Sequence, residues 1–73
     1  MDKREACHRL AEINEEVYEL EESLSDIERN LLVADEDRRQ WLLEKRVEAI
    51  SRLEKSRREH DEFLDNYYDI IHS

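Results

Sequence analysis

The chain has 73 residues and a formal net charge of −9, and charged residues make up 45% of it. This length allows one small domain, and the negative charge argues against direct binding to nucleic acid or to an anionic membrane surface. Glycine and proline are absent, and no stretch is apolar for long enough to span a bilayer.

The first ten residues, MDKREACHRL, are charged and lack the apolar core of a secretory signal. The one cysteine, Cys7, cannot form a disulfide within the chain, so we predict a cytoplasmic protein. Glu5 and His8 have the Glu-x-x-His spacing of di-iron bundles. The helical phase, however, places His8 on an outer face, and we therefore predict neither a metal site nor a cofactor.

The first half of the chain has an apolar residue at every third or fourth position, without interruption. These residues are Leu10, Ile13, Val17, Leu20, Leu24, Ile27 and Leu31. Steps that alternate between three and four are typical of the apolar seam of a coiled coil. The spacing predicts a first helix over residues 3–33.

The segment ADEDRRQ, residues 34–40, separates this row from the apolar residues that follow. Aspartate is a favourable N-cap, and Asp37 with Gln40 has the spacing of a capping box. We predict a turn over about residues 34–37 and a second helix over about 38–71. The alternative is one straight helix that makes the same contacts in an antiparallel dimer. The hairpin would be a rod of about 50 Å and the straight dimer one of about 105 Å, at about 1.5 Å per residue.

The second helix carries an apolar row in a new phase. We assign its part of the seam to Leu43, Val47, Ile50 and Leu53. Other apolar residues would stay uncovered in a lone hairpin, and most lie in the tail FLDNYYDIIHS. We predict a dimer interface or a protein-docking face formed by Trp41, Phe63, Leu64, Tyr67, Tyr68, Ile70 and Ile71.

Charge predicts the orientation of the two helices. Residues 12–28 carry eight acids and no Lys or Arg, whereas residues 38–58 carry eight bases and three acids. Folding the chain about residue 35 brings these blocks together, with facing positions that sum to about 70. We therefore predict an all-α, antiparallel coiled-coil hairpin that dimerises into a four-helix bundle.

The sequence favours binding over catalysis, since no phosphate-binding glycine loop and no nucleophile–base pair is visible. We expect a small protein-binding module, such as an adaptor, regulator or inhibitor, whose partners are a second copy of itself and another protein. Two alternatives stay open. The acidic run from Glu12 to Glu28 could mimic a nucleic acid and block an enzyme that binds one, or the chain could be a purely structural coiled coil.

Overall fold

The computed structural model describes residues 1–72 and contains two α-helices, α1 (Lys3–Leu31) and α2 (Glu36–Ile71). They pack against each other along their length as a rod with extents of 53 × 14 × 13 Å. This confirms the predicted all-α helical hairpin and its length. Among the described residues, neither helix is long and apolar enough to cross a membrane.

An aspartate caps the N-terminus of each helix. The Asp2 carboxylate accepts a hydrogen bond from the Glu5 backbone N–H at 2.8 Å, and the Asp35 carboxylate accepts one from the Arg38 N–H at 2.9 Å. Each carboxylate satisfies an amide that has no partner within its helix, and the negative charge is favoured at the positive end of the helix dipole. The chain therefore starts each helix without a proline or glycine.

The turn lies earlier than the sequence predicted. α1 ends at Leu31 rather than residue 33, and α2 begins at Glu36 rather than residue 38. Asp35 is the N-cap, so Asp37 lies inside the first turn of α2, and the proposed capping box with Gln40 is wrong. At the end of α1 the backbone N–H groups of Leu32 and Val33 bond to carbonyls three residues earlier. Such bonds satisfy the last carbonyls of α1 without a left-handed glycine.

On α1, the row predicted from the sequence faces α2. Ala6 and Ile13 are buried, and the other members are half-buried, namely Leu10, Val17, Leu20, Leu24, Ile27 and Leu31. Because the steps of three and four follow the helical repeat, one narrow side of the helix carries every one of them.

On α2, the residues that face α1 follow a different row from the predicted one. This row comprises Leu42, Arg46, Ala49, Leu53, Ser56, His60, Phe63, Tyr67 and Ile70. It includes the predicted Leu53 but not Leu43 and Val47, which are 40% and 67% exposed, and Ile50 lies half-buried at its edge. A straight helix must present the same side to α1 over its whole length. Leu53 and Phe63 define that side, and in their phase Leu42 rather than Leu43 is buried.

Cross-helix polar contacts support the antiparallel arrangement. The Arg57 guanidinium lies 2.7 Å from the Glu21 carboxylate, and Arg46 lies 3.6 Å from Glu28. The buried Ser56 hydroxyl donates to Glu16 at 3.1 Å. The facing positions sum to 78, 74 and 72, close to the predicted 70. The basic block of α2 thus lies beside the acidic block of α1.

The cap at Asp35 gives a direct test of how the turn is held. Replacing Asp35 with alanine should lower the free energy of unfolding by about 1 kcal/mol, because the Arg38 amide loses its acceptor. Urea denaturation followed by circular dichroism would measure the change. Asp37→Ala is the matched control, since it removes the same charge from the first turn of α2 without removing the cap. Equal losses in the two variants would contradict a capping role for Asp35.

A second test concerns the arginine within the α2 row. Replacing Arg46 with leucine should raise the free energy of unfolding by about 1 kcal/mol, because an apolar side chain there avoids desolvating a charge beside the apolar α1 row. Lys55→Leu, which removes a base from an exposed position of α2, should change stability by less than about 0.5 kcal/mol. Chemical denaturation of both variants would decide, and a destabilised Arg46→Leu protein would show that the ion pair with Glu28 outweighs apolar packing.

Candidate interaction surfaces

The hairpin exposes more surface than a compact protein of its mass. Its accessible area is 5884 Å², whereas a folded chain of 9.0 kDa typically exposes about 4,900 Å². Its radius of gyration is 16.3 Å, compared with about 11 Å for a compact domain of this length. The rod therefore carries an excess of about 1,000 Å², which is the area that one partner contributes to a stable protein interface.

The aromatic residues of the tail lie at the end of the rod that also holds the start of α1. The Phe63 and Tyr67 rings stack with centroids 4.7 Å apart, and both are half-buried. Ala6 of α1 is fully buried. A small residue at that position lets bulky α2 side chains approach the α1 backbone closely. Phe63, Tyr67 and Ile70 thus belong to the row that faces α1.

The outer part of the tail remains open. Tyr68 is 57% exposed, and its ring stacks on that of His72 at 4.3 Å. The exposed Asp65 and Asp69 lie within a turn of it. Residues 59–73 carry five acids and no Lys or Arg. We name Asp65, Tyr68 and Asp69 the tail surface, an exposed aromatic residue beside two exposed carboxylates.

Trp41 does not join this cluster. It lies near the start of α2, more than 20 residues and so over about 30 Å along the helix from Phe63. Its ring is 54% exposed and is covered by the Lys45 ammonium at 5.7 Å, a cation–π contact. The predicted interface therefore divides into two separate parts, with Trp41 at the turn end of the rod.

The structure reveals an apolar surface whose residues the sequence prediction divided. It assigned Leu43 and Ile50 to the seam, and Leu64 and Ile71 to the dimer interface or docking face. Every seventh residue from 43 to 71 forms a row beside the buried one, composed of Leu43, Ile50, Arg57, Leu64 and Ile71. Leu43 is exposed, and the other apolar members are half-buried. We name this row the lateral stripe. Counting back from Phe63 in steps of seven gives Ser56, Ala49 and Leu42, which all belong to the buried row. This repeat would have separated the lateral stripe from the seam.

The other edge of the hairpin is polar. A shallow groove there is lined by Glu16, Ser23, Arg52, Lys55 and Glu59 among others. Charged side chains from both helices face water along it. The two edges of the hairpin are therefore chemically unlike each other.

The outward face of α1 is acidic, with Glu12, Glu15, Glu19, Glu22 and Asp26 in line. The Tyr18 hydroxyl, on the neighbouring row, donates to the Glu22 carboxylate at 2.9 Å. This hydrogen bond and the charge of Glu22 raise the pKa of Tyr18 above its ordinary value. Part of this acidic face is therefore engaged in contacts within α1 itself.

The metal-like spacing at the N-terminus does not form a site. The His8 side chain is 79% exposed, and its Nε2 lies 3.2 Å from the Glu12 carboxylate. Cys7 is exposed as a free thiol. Within residues 1–72, no three potential ligands come together in a geometry that could hold a metal ion.

Comparison with known proteins gives no match, since no family model, no curated protein and no solved structure matches this chain.

Proposed function

We propose that the chain is a small, non-catalytic protein-binding module, an adaptor, regulator or inhibitor, that self-associates and docks another protein through its tail surface. The observation that carries this proposal is the excess of exposed area, which includes two apolar or aromatic regions outside the seam. Surface of this kind on a small helical rod is typical of a chain that completes its core with another chain. Residence in the cytoplasm is part of the same proposal.

The chemistry of the tail surface indicates what kind of partner it would accept. Tyr68 offers a flat, amphipathic ring at a low cost in side-chain entropy. Asp65 and Asp69 beside it are exposed carboxylates in a stretch, residues 59–73, that carries five acids and no Lys or Arg. A protein segment that presents an apolar or cationic group between Lys or Arg side chains would complement both features.

Nucleic-acid mimicry is the second candidate, and the acidic face of α1 favours it. Glu15 is exposed there, whereas Glu19 also borders the groove that Arg52 and Lys55 of α2 line. This face has five of the acids between Glu12 and Asp26, or one carboxylate every ~5 Å along the helix. A single strand of DNA carries one phosphate every ~3.4 Å of axis. The lower charge density makes this face a weak imitation of a nucleic acid, so we rank it second.

A pair of matched variants separates the two candidates. The tail variant combines Tyr68→Ser, Asp65→Asn and Asp69→Asn. The control combines Tyr18→Ser, Glu15→Gln and Glu19→Gln, so that each protein loses one exposed tyrosine and two carboxylates. Tagged proteins would be incubated with lysate of the native cell, and captured proteins quantified by mass spectrometry.

We expect the tail variant to lose at least about tenfold of the partner that the unaltered chain captures, because it removes the aromatic anchor and its charges. The control should retain that partner, with both variants still helical by circular dichroism. If the control loses the partner and moderate salt abolishes capture, mimicry is the better account. If neither variant loses it, the docking role of the tail surface is wrong.

A further inference from the structure

The lateral stripe is symmetric along its own helix. Leu43 and Ile50 precede Arg57 by fourteen and seven residues, and Leu64 and Ile71 follow it by the same distances. A second copy of α2 running in the opposite direction, with Arg57 at the centre, would therefore meet apolar residues with apolar residues. Leu43 would face Ile71, and Ile50 would face Leu64.

From this symmetry we infer that the lateral stripe is the dimer interface, occupied by a second copy of the same chain whose α2 runs antiparallel to the first about a two-fold axis near Arg57. The inference rests on the self-association in the proposed function. It specifies the surface through which the two chains pair, the relative direction of their α2 helices and the residues that face each other. The stripe extends over 28 residues, or about 42 Å of helix. A paired surface of that length is long enough to bury the excess of about 1,000 Å² that the lone hairpin exposes.

Burial within one chain supports this choice of face. Leu43 and Val47 are 40% and 67% exposed although both are large and apolar. Val47 lies one turn after Leu43 and widens the stripe near the turn.

The relative direction of the two chains follows from the residues that each dimer arrangement would bury. A two-fold axis along the rod would set the stripe of one copy against α1 of the other, whose adjoining row carries Cys7, Asn14, Glu21 and Glu28. Leu43 and Ile50 would then lie against Glu28 and Glu21, and burying those carboxylates beside apolar groups is unfavourable. The antiparallel arrangement of α2 with α2 avoids this conflict.

Arg57 at the centre is compatible with the two-fold axis. Its guanidinium is bound by Glu21 of its own chain at 2.7 Å. Two such ion pairs could therefore approach each other without two uncompensated positive charges. The exposed Glu54 and Asp61 lie one turn away on either side and add negative potential there. A central charge pair of this kind also penalises slipped registers, in which Arg57 would meet an apolar residue.

The first experiment tests the face. The stripe variant, Leu43→Gln with Val47→Gln, should weaken the dimer by about a hundredfold in dissociation constant, measured by analytical ultracentrifugation. The control, Leu32→Gln with Val33→Gln, changes the same residue types at positions of the turn that are each 85% exposed. We expect it to dimerise like the unaltered chain.

The second experiment tests direction and register on the assembled protein. A spin label would be placed at Arg38→Cys in a Cys7→Ser background, away from the stripe, and the label-to-label distance measured by pulsed electron paramagnetic resonance. The antiparallel register separates the two labels by 38 residues, or about 57 Å along the helix. Two hairpins with their turns at the same end would give less than about 30 Å, since helix axes in a bundle lie only about 10 Å apart.

Each outcome bears on a definite claim. A dimer that is lost in the stripe variant and kept in the control, together with the long distance, supports the inference. A short distance, or a dimer that survives the stripe variant, overturns it while self-association stands. A monomer at every concentration overturns the self-association as well. If the stripe variant loses helicity, the label-to-label distance in the protein with an unmutated stripe decides whether the inferred interface is correct.

Discussion

The packing of α1 against α2 along one narrow seam is the interaction on which the rest of the molecule depends. α1 contributes an unbroken apolar row, but the row on α2 includes Arg46, Ala49, Ser56 and His60. Among the described residues, the seam buries only three large apolar side chains, Ile13, Leu42 and Leu53. A seam of this composition fixes the direction and register of the helices through its polar members, but it buries little apolar area for a chain of 73 residues. We propose that a second chain supplies a further apolar contact.

Charge makes the two ends and the two edges of the rod different from one another. The acidic block of α1 is matched by the basic block of α2, with contacts such as Arg57 to Glu21. Residues 59–73 carry five acids and no Lys or Arg of their own, and the basic residues Lys3, Arg4 and Arg9 lie at the start of α1, at the same end of the rod. One edge of the hairpin is lined by charged groups, and the other carries the lateral stripe. We propose that the lateral stripe binds a copy of the chain and that the tail surface binds a different partner.

The sequence predicted the hairpin, its direction and the seam of α1, because each rests on a regular pattern of apolar spacing or charge. It did not predict the seam of α2, and the reason is physical. The lateral stripe is more apolar than the row that is buried, so an assignment based on hydrophobicity selected Leu43 and Val47 over Ala49 and Ser56. The turn was misplaced by two residues because Asp35 and Asp37 both follow Ala34, and either aspartate has the chemistry of a cap. Trp41 could not be placed relative to the tail until the helix lengths and the fold-back were known.

The dependence of thermal stability on protein concentration tests most directly the claim that the seam is too thin to stand alone. Circular dichroism melts would be recorded over a hundredfold range of concentration in one buffer. If a second chain completes the core, association contributes about 2.7 kcal/mol more at the highest concentration than at the lowest. The melting temperature Tm should then rise by roughly 5–10 °C across the range. A sharp, cooperative transition at one Tm for all concentrations would contradict the account, because it would show that the single hairpin is sufficient for stability.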